Sequence, residues 1–269
     1  MASKGLGQII VGSLDTLMIM NLTSRLSHAR DWIVTTLDYD QNQDVNTFET
    51  TTRMLGGLLS AHYLSTTFPD MAPLVDDEAG AASDDLKDIY LEKAVDLADR
   101  LGGAFESISG ISYARFNLKT RKGVPSHDNG GASFTAEAAG VQLEMKYISK
   151  LTGEKSYWDQ AEKAMQVIDD NGADDGLVSL AISPSNGRFS GKHIRLGSGG
   201  DSYYGVTSHA SPPHTSIDRT KLTNTDASQN TLSSSISRLR SRSPFTSKCG
   251  TRLWLVSAST LSPTLPMQT

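Results

Sequence analysis

In VNTFETTTRMLGGLLSAHYLS a carboxylate, Glu49, and a guanidinium, Arg53, stand four residues apart. On a helix that spacing sets them side by side, where the carboxylate can exchange a proton and the guanidinium can donate forked hydrogen bonds to a polar ligand. The same spacing has a purely local explanation: an i,i+4 ion pair, with Asn46 as the helix cap and Glu49 closing a capping box. Two glycines, Gly56 and Gly57, follow inside the same helical pattern, each costing roughly 1 kcal/mol relative to alanine. Glycines tolerated there imply that another part of the chain approaches the backbone closely.

Further carboxylates stand in SFTAEAAG (Glu137) and GGDSYY (Asp201). Glu144 lies seven residues after Glu137, hence on the same face of one predicted helix, either lining an interior or facing solvent. His127 and Asp128 occupy a glycine-rich loop, PSHDNGG, and His28 and His62 fall on helices where packing or solvation accounts for them. GLGQIIVG is no dinucleotide fingerprint, because its third glycine is misplaced and no strand precedes it. Asn21-Leu22-Thr23 is a glycosylation triplet inside an apolar block, and its use requires the secretory route. The single cysteine, Cys249, excludes an intrachain disulfide and a multi-cysteine metal site.

The elements that must position these groups are mostly helical. GSLDTLMIMNL and SRLSHARDWIVTTL read as a helix pair, the second capped by Thr23 or Ser24. NTFETTTRMLGGLLSAHYLSTTF and DDLKDIYLEKAVDLADRLGGAF read as longer helices, the latter with Leu91, Val95 and Ala98 as its buried stripe. SFTAEAAGVQLEMKYISKLTG and EKSYWDQAEKAMQVIDDNG form a further pair, stopped by Gly153 and Gly172. Short β-prone stretches, ISYARFNL, GLVSLAIS and GRFSGKHIRLGS, lie between the pairs, the last two joined by a turn at PSNG. Helix pairs of this length bury their stripes against one another as an α-toroid or a solenoid, and no short sequence repeat supports the solenoid.

Charge divides the 269 residues. Residues 1–205 carry 18 basic and 28 acidic side chains, whereas 206–269 carry 7 and 2. An acidic body argues against a nucleic-acid partner. The last segment is Ser/Thr-rich and aperiodic, and it reads as a disordered tail, so the predicted domains are 1–205 and 206–269. The opening MASKGLGQIIVGSLDTLMIMNL is too short and too polar for a signal sequence or a membrane span.

SLDTLMIMNL, VNTFETTTRMLGGLLSAHYLS, YLEKAVDLADRL, FTAEAAGVQLEMKYISKLTGEKSYWDQAEK and IRLGSGGDSYY occur in the order and spacing of class I α-1,2-mannosidases, glycoside hydrolase family 47. The chain resembles the fungal members over residues 8–204. The resemblance implies a fold that is all-α, part of an (α/α)7 barrel with short β-hairpin insertions, and a calcium ion at the barrel base. It also implies inverting hydrolysis of terminal α-1,2-linked mannose on high-mannose N-glycans in the endoplasmic reticulum or Golgi. An inverting glycosidase pairs a general acid with a carboxylate that activates water from the opposite face of the sugar. By motif, Glu49 matches the general acid, acting through water, and Asp201 a second catalytic carboxylate. Arg53 matches an arginine that contacts the sugar, and Glu137 a carboxylate lining its subsite.

The resemblance stops after DSYY, where Gly205 and the Ser/Thr-rich segment replace the family's next helix. The family's later base, its further sugar-binding carboxylates and its calcium-ligating threonine have no counterpart in the matching blocks. Ser112 and Ser179 replace prolines usual in the family. Two outcomes are expected from this departure: a mannosidase by descent with activity lost or severely impaired, or a non-catalytic product keeping weak glycan binding through Arg53 and Glu137.

Overall fold

Leu14 and Met18, four residues apart, give a short helix one apolar face, and Leu26, Ala29 and Ile33 repeat the device on the next. The computed structural model describes residues 5–71, 89–172, 177–195 and 197–209, with side chains described as far as 206. All of these fall within one compact unit, 1–215. Of the predicted tail, 206–269, the first four residues are helical rather than disordered, continuing the helix that begins at Asp201, and the rest, with Cys249, lies outside the described residues.

The first helical block divides at Gly12–Ser13 into α1 (Gln8–Val11) and α2 (Leu14–Ile19), followed by α3 (Thr23–Thr35). The expected cap of α3 by Thr23 or Ser24 is not formed, for both residues lie inside the helix and Leu22 takes the cap position with no side-chain bond. Asn21, in the left-handed region at φ 52°, ends α2 instead. There the Leu22 N–H donates to Leu17 O (2.9 Å) and the Asn21 N–H to Met18 O (3.0 Å), which is the Schellman pattern.

Strand β1 (Asp44–Asn46) runs directly into α4 (Thr47–Glu49), a π-helical segment (Thr50–Leu55) and α5 (Gly56–Thr67). One continuous helix was expected here. Three consecutive β-branched threonines, Thr50 to Thr52, crowd this stretch, and the hydroxyls of Thr51 and Thr52 bond back to the carbonyls of Thr47 (2.8 Å) and Phe48 (3.0 Å). Back-bonding of this kind loosens the regular ladder, and the Gly56 N–H reaches Thr51 O, five residues back.

Helix α6 (Ile89–Gly102) buries Tyr90, Ala94, Leu97, Ala98 and Leu101. Ala98 is where the sequence places it, but Leu91 and Val95 are only half-buried, because the stripe is centred one position off the expected one. Arg100 pairs with Asp96 (2.8 Å) and donates to the carbonyls of Tyr39 and Leu118, both at 3.1 Å. It thereby fastens α6 to the loops flanking a three-stranded antiparallel sheet, β1 with β2 (Arg115–Asn117) and β3 (Lys122–Val124), in which Val45, Phe116 and Gly123 are in register.

A second small sheet pairs β4 (Ser133–Phe134) with β5 (Ala181–Ile182), and the expected PSNG turn closes on Gly187 at φ 69°. Between β4 and β5 run α7 (Thr135–Ala139), α8 (Gln142–Thr152) and α9 (Lys155–Asp170). The single helix predicted through Glu137 and Glu144 is broken at Gly140, where an added Cβ would fall 2.5 Å from Phe48 and 3.2 Å from Ser202. Gly153, at φ 77°, reverses the chain between α8 and α9, and Gln142 Nε2 donates to Ala161 O (2.7 Å) across the pair. The last described helix, α10 (Asp201–His209), packs on α7 through Tyr203, which is buried with Ala138, Ala139 and Ile168.

Candidate active site

Asn46 is extended and its Oδ1 accepts the Glu49 N–H at 2.7 Å, so the predicted cap exists and fixes the start of α4. Thr47 anchors the same turn to the segment before β2, its N–H donating to Ala114 O (2.9 Å) and its hydroxyl to Tyr113 O (2.6 Å). From this fixed start Glu49 projects one residue before the π-helical segment, and its Oε2 accepts from Arg53 Nε. The reciprocal half of the capping box is replaced by this ion pair. The side chains of Arg53 and Glu49 are 60% and 43% exposed, so the pair is reachable by a ligand and, screened by water, adds little to stability.

Glu49 and Arg53 line an open cavity of about 720 Å³, together with Gln8, Ile9, Gly12, Ser13, Asp15, Thr52, Gly56, Gly57, Ser60 and Glu144. The glycine pair explains how its wall closes. A Cβ on Gly57 would lie 2.8 Å from the Val11 carbonyl oxygen, so the absence of a side chain lets α1 dock on α5. A Cβ on Gly56 would meet Glu144 Cγ and Oε1 at 3.5 Å, an ordinary contact.

Glu144 belongs to the cavity rather than to a solvated face. The break at Gly140 reorients α8 relative to α7, so the face shared with Glu137 in a continuous helix does not exist. The residue as a whole is half-buried, with its Oε2 sealed from water and, among the described residues, without a hydrogen-bond partner. Burial pushes its carboxyl up to about 7, opposed only in part by its own backbone N–H. Near neutral pH a substantial fraction is therefore a neutral acid able to donate a hydrogen bond.

Glu137 sits beside this group and not in the cavity wall. Its Oε1 accepts a long bond, 3.4 Å, from Asn46 Nδ2. Burial raises its carboxyl, the Asn46 bond opposes that, and the Glu49 charge adds to it. Asn46 thus touches both candidate carboxylates, by capping the helix of one and donating to the other. Asp201 is exposed at the start of α10, where Oδ1 accepts the Ser202 N–H (2.9 Å), and it does not line the cavity. The Ala136 N–H to Gly199 O bond (3.2 Å) joins the loop before Asp201 to the helix of Glu137. The structure therefore gathers Glu49, Arg53 and Glu144, keeps Glu137 adjacent through Asn46, and leaves Asp201 on a neighbouring element.

The sequence reading missed the contributions of Gln8, Ser13 and Asp15, which depend on the docking of α1. His28 and the His127–Asp128 loop are exposed and His62 is buried. Calcium takes six to eight oxygen ligands. Among the described residues no three His, Cys, Asp or Glu side chains converge as a metal site. Among them, too, no helix is long and apolar enough to cross a membrane.

The chain has relatives among known proteins. The mannosyl-oligosaccharide 1,2-alpha-mannosidase of Candida albicans is 53% identical over 204 residues, covering 76% of this chain and 33% of the relative. The endoplasmic reticulum mannosyl-oligosaccharide 1,2-alpha-mannosidase of Saccharomyces cerevisiae is 42% identical, over 75% of this chain and 37% of the relative. Among solved structures, an alpha-1,2-mannosidase from Trichoderma reesei superposes with a TM-score of 0.65 at 26% identity, covering 76% of this chain and 41% of its own. This chain thus spans about a third of the length of the curated relatives, and its helix pairs correspond to part of an (α/α) barrel. A model of glycosyl hydrolase family 47 matches residues 1–248. The chain belongs to glycosyl hydrolase family 47.

Proposed function

We propose that the chain supplies the acid-bearing wall of an α-1,2-mannosidase site, acting on terminal α-1,2-linked mannose of high-mannose N-glycans in the lumen of the secretory pathway. The observation that carries this reading is the convergence of Glu49, Arg53 and Glu144 on one open cavity. Arg53 donates to sugar hydroxyls, and on engaging them it releases Glu49 from their ion pair. Glu49, then facing the glycosidic oxygen across a water, delivers the proton that the leaving sugar needs. Glu144, partly protonated, donates to a sugar hydroxyl and holds the ring against the Gly56–Gly57 wall. Glu137, raised by burial and by the Glu49 charge, borders the subsite.

Inverting hydrolysis also needs a carboxylate across the sugar from the acid, with about 6.5–9.5 Å between the two for the attacking water. Asp201 is our candidate for a second catalytic carboxylate. Its exposed position outside the cavity wall supports a chain that binds mannose better than it cleaves it. The family's calcium dependence enters no step derived for these residues. The reading is tested by incubating the purified chain with an α-1,2-linked mannose oligosaccharide and following both bound ligand and released mannose. Binding that weakens in Arg53→Ala, with release that is slow and further reduced in Glu49→Gln, is expected. Binding indifferent to Arg53, or release indifferent to Glu49, would place the chemistry elsewhere.

A further inference from the structure

Asn21-Leu22-Thr23 is the chain's one Asn-X-Ser/Thr triplet. It is not buried in the apolar block where the sequence sets it. Asn21 and Leu22 are exposed on the turn joining α2 to α3, and Thr23 is partly exposed. The turn is held by its main chain alone, through the Leu22 to Leu17 and Asn21 to Met18 bonds. Asparagine tolerates the left-handed conformation at φ 52°, and glycine would serve the stop at least as well. Among the described residues the Asn21 carboxamide makes no hydrogen bond, and Thr23 gives α3 no capping bond. Both side chains that define the triplet are therefore spare to the fold.

The surface around them is apolar. Ile19, Met20 and Leu22 are 46%, 62% and 37% exposed on the same turn, an unusual cluster of large apolar side chains beside a polar one. A carbohydrate attached at Asn21 would overlie that cluster and shield it from water and from other chains.

We propose that Asn21 is an N-glycosylation site. The donor is an oligosaccharide carried on a lipid pyrophosphate, with a host oligosaccharyl transferase as catalyst. A bond forms between Asn21 Nδ2 and the anomeric carbon of the reducing-end sugar, and the bond from that carbon to the phosphate oxygen breaks. The lipid pyrophosphate leaves with the electron pair, and the displaced carboxamide proton passes to solvent. Thr23 supplies the hydroxyl that marks the triplet for the transferase. The inference rests on the lumenal location proposed above, not on mannosidase activity.

The full chain expressed in a yeast host tests it. A single glycan-sized mobility step, removed by peptide N-glycosidase with conversion of Asn21 to aspartate in the mass spectrum, is expected. Thr23→Ser should keep the step, and Thr23→Ala should lose it. Asn21→Gly should also lose it while preserving the left-handed stop and the fold. Protease protection of membrane vesicles, run on the same cells, separates the two ideas. A protected but unmodified chain overturns the glycosylation site and leaves the location standing, whereas an unprotected, unmodified chain overturns both.

Discussion

Glu144 enters the cavity as an acid with one oxygen sealed from water, and its titration has a definite sign. Unfolded, it ionises near its ordinary 4.5, and folded, near 7. Between those values the folded chain retains a proton that the unfolded chain has lost, so stability falls as pH rises through the window and levels off above it. The loss is on the order of 3 kcal/mol. Glu144→Gln should flatten this part of the stability profile in denaturant titrations from pH 4.5 to 7. An unchanged slope would show that the carboxyl is solvated. Asn46 permits a second test. Asn46→Ser retains the cap on α4 but cannot donate to Glu137, so the Glu137 carboxyl should titrate higher still by carbon-detected NMR. Asn46→Ala should lose the cap as well, at a cost of about 1 kcal/mol. Glu49 and Arg53 were legible in sequence because one turn of helix suffices to pair them. For Glu144 the sequence left an interior and a solvent-facing position both open, because its environment is set by the break at Gly140, which depends on Phe48 and Ser202 from distant elements.

At the scale of elements, the close contact between α1 and α5 rests on one missing side chain. Gly57→Ala would bring a Cβ to 2.8 Å from the Val11 carbonyl and should destabilise by about 1–3 kcal/mol, as overpacking does. Gly56→Ala, with only an ordinary contact to Glu144, should be neutral or stabilising by up to about 1 kcal/mol. Equal effects of the two in chemical denaturation would contradict the docking explanation for the glycine pair. The helix pairs, the glycine stops at Gly153 and Gly172 and the PSNG turn were readable from period and turn chemistry. Strands β1 and β3 were not, since three-residue strands carry too little alternation to register and form only because β2 lies between them. The π-helical segment was hidden for a different reason: its threonine back-bonds compete with a ladder that the apolar pattern alone predicts to be regular.

For the whole molecule, the central claim is that one cavity recognises mannose through Arg53 and Glu49 while the second carboxylate stands apart. Nothing in a linear pattern discloses that separation, because Asp201 is placed by the packing of Tyr203 on α7 and α9. Asp201→Asn should accordingly leave sugar affinity within about threefold, under about 0.7 kcal/mol, while abolishing any residual mannose release. The most direct measurement is an NMR titration of the chain with α-1,2-mannobiose, in wild type and in Arg53→Ala. Saturable shifts centred on the Gly56 and Gly57 amides, with affinity falling about tenfold or more in the variant, are expected for the loss of a charged hydrogen bond to the sugar. Shifts centred on the α10 region around Asp201, or an affinity unchanged by Arg53→Ala, would contradict it.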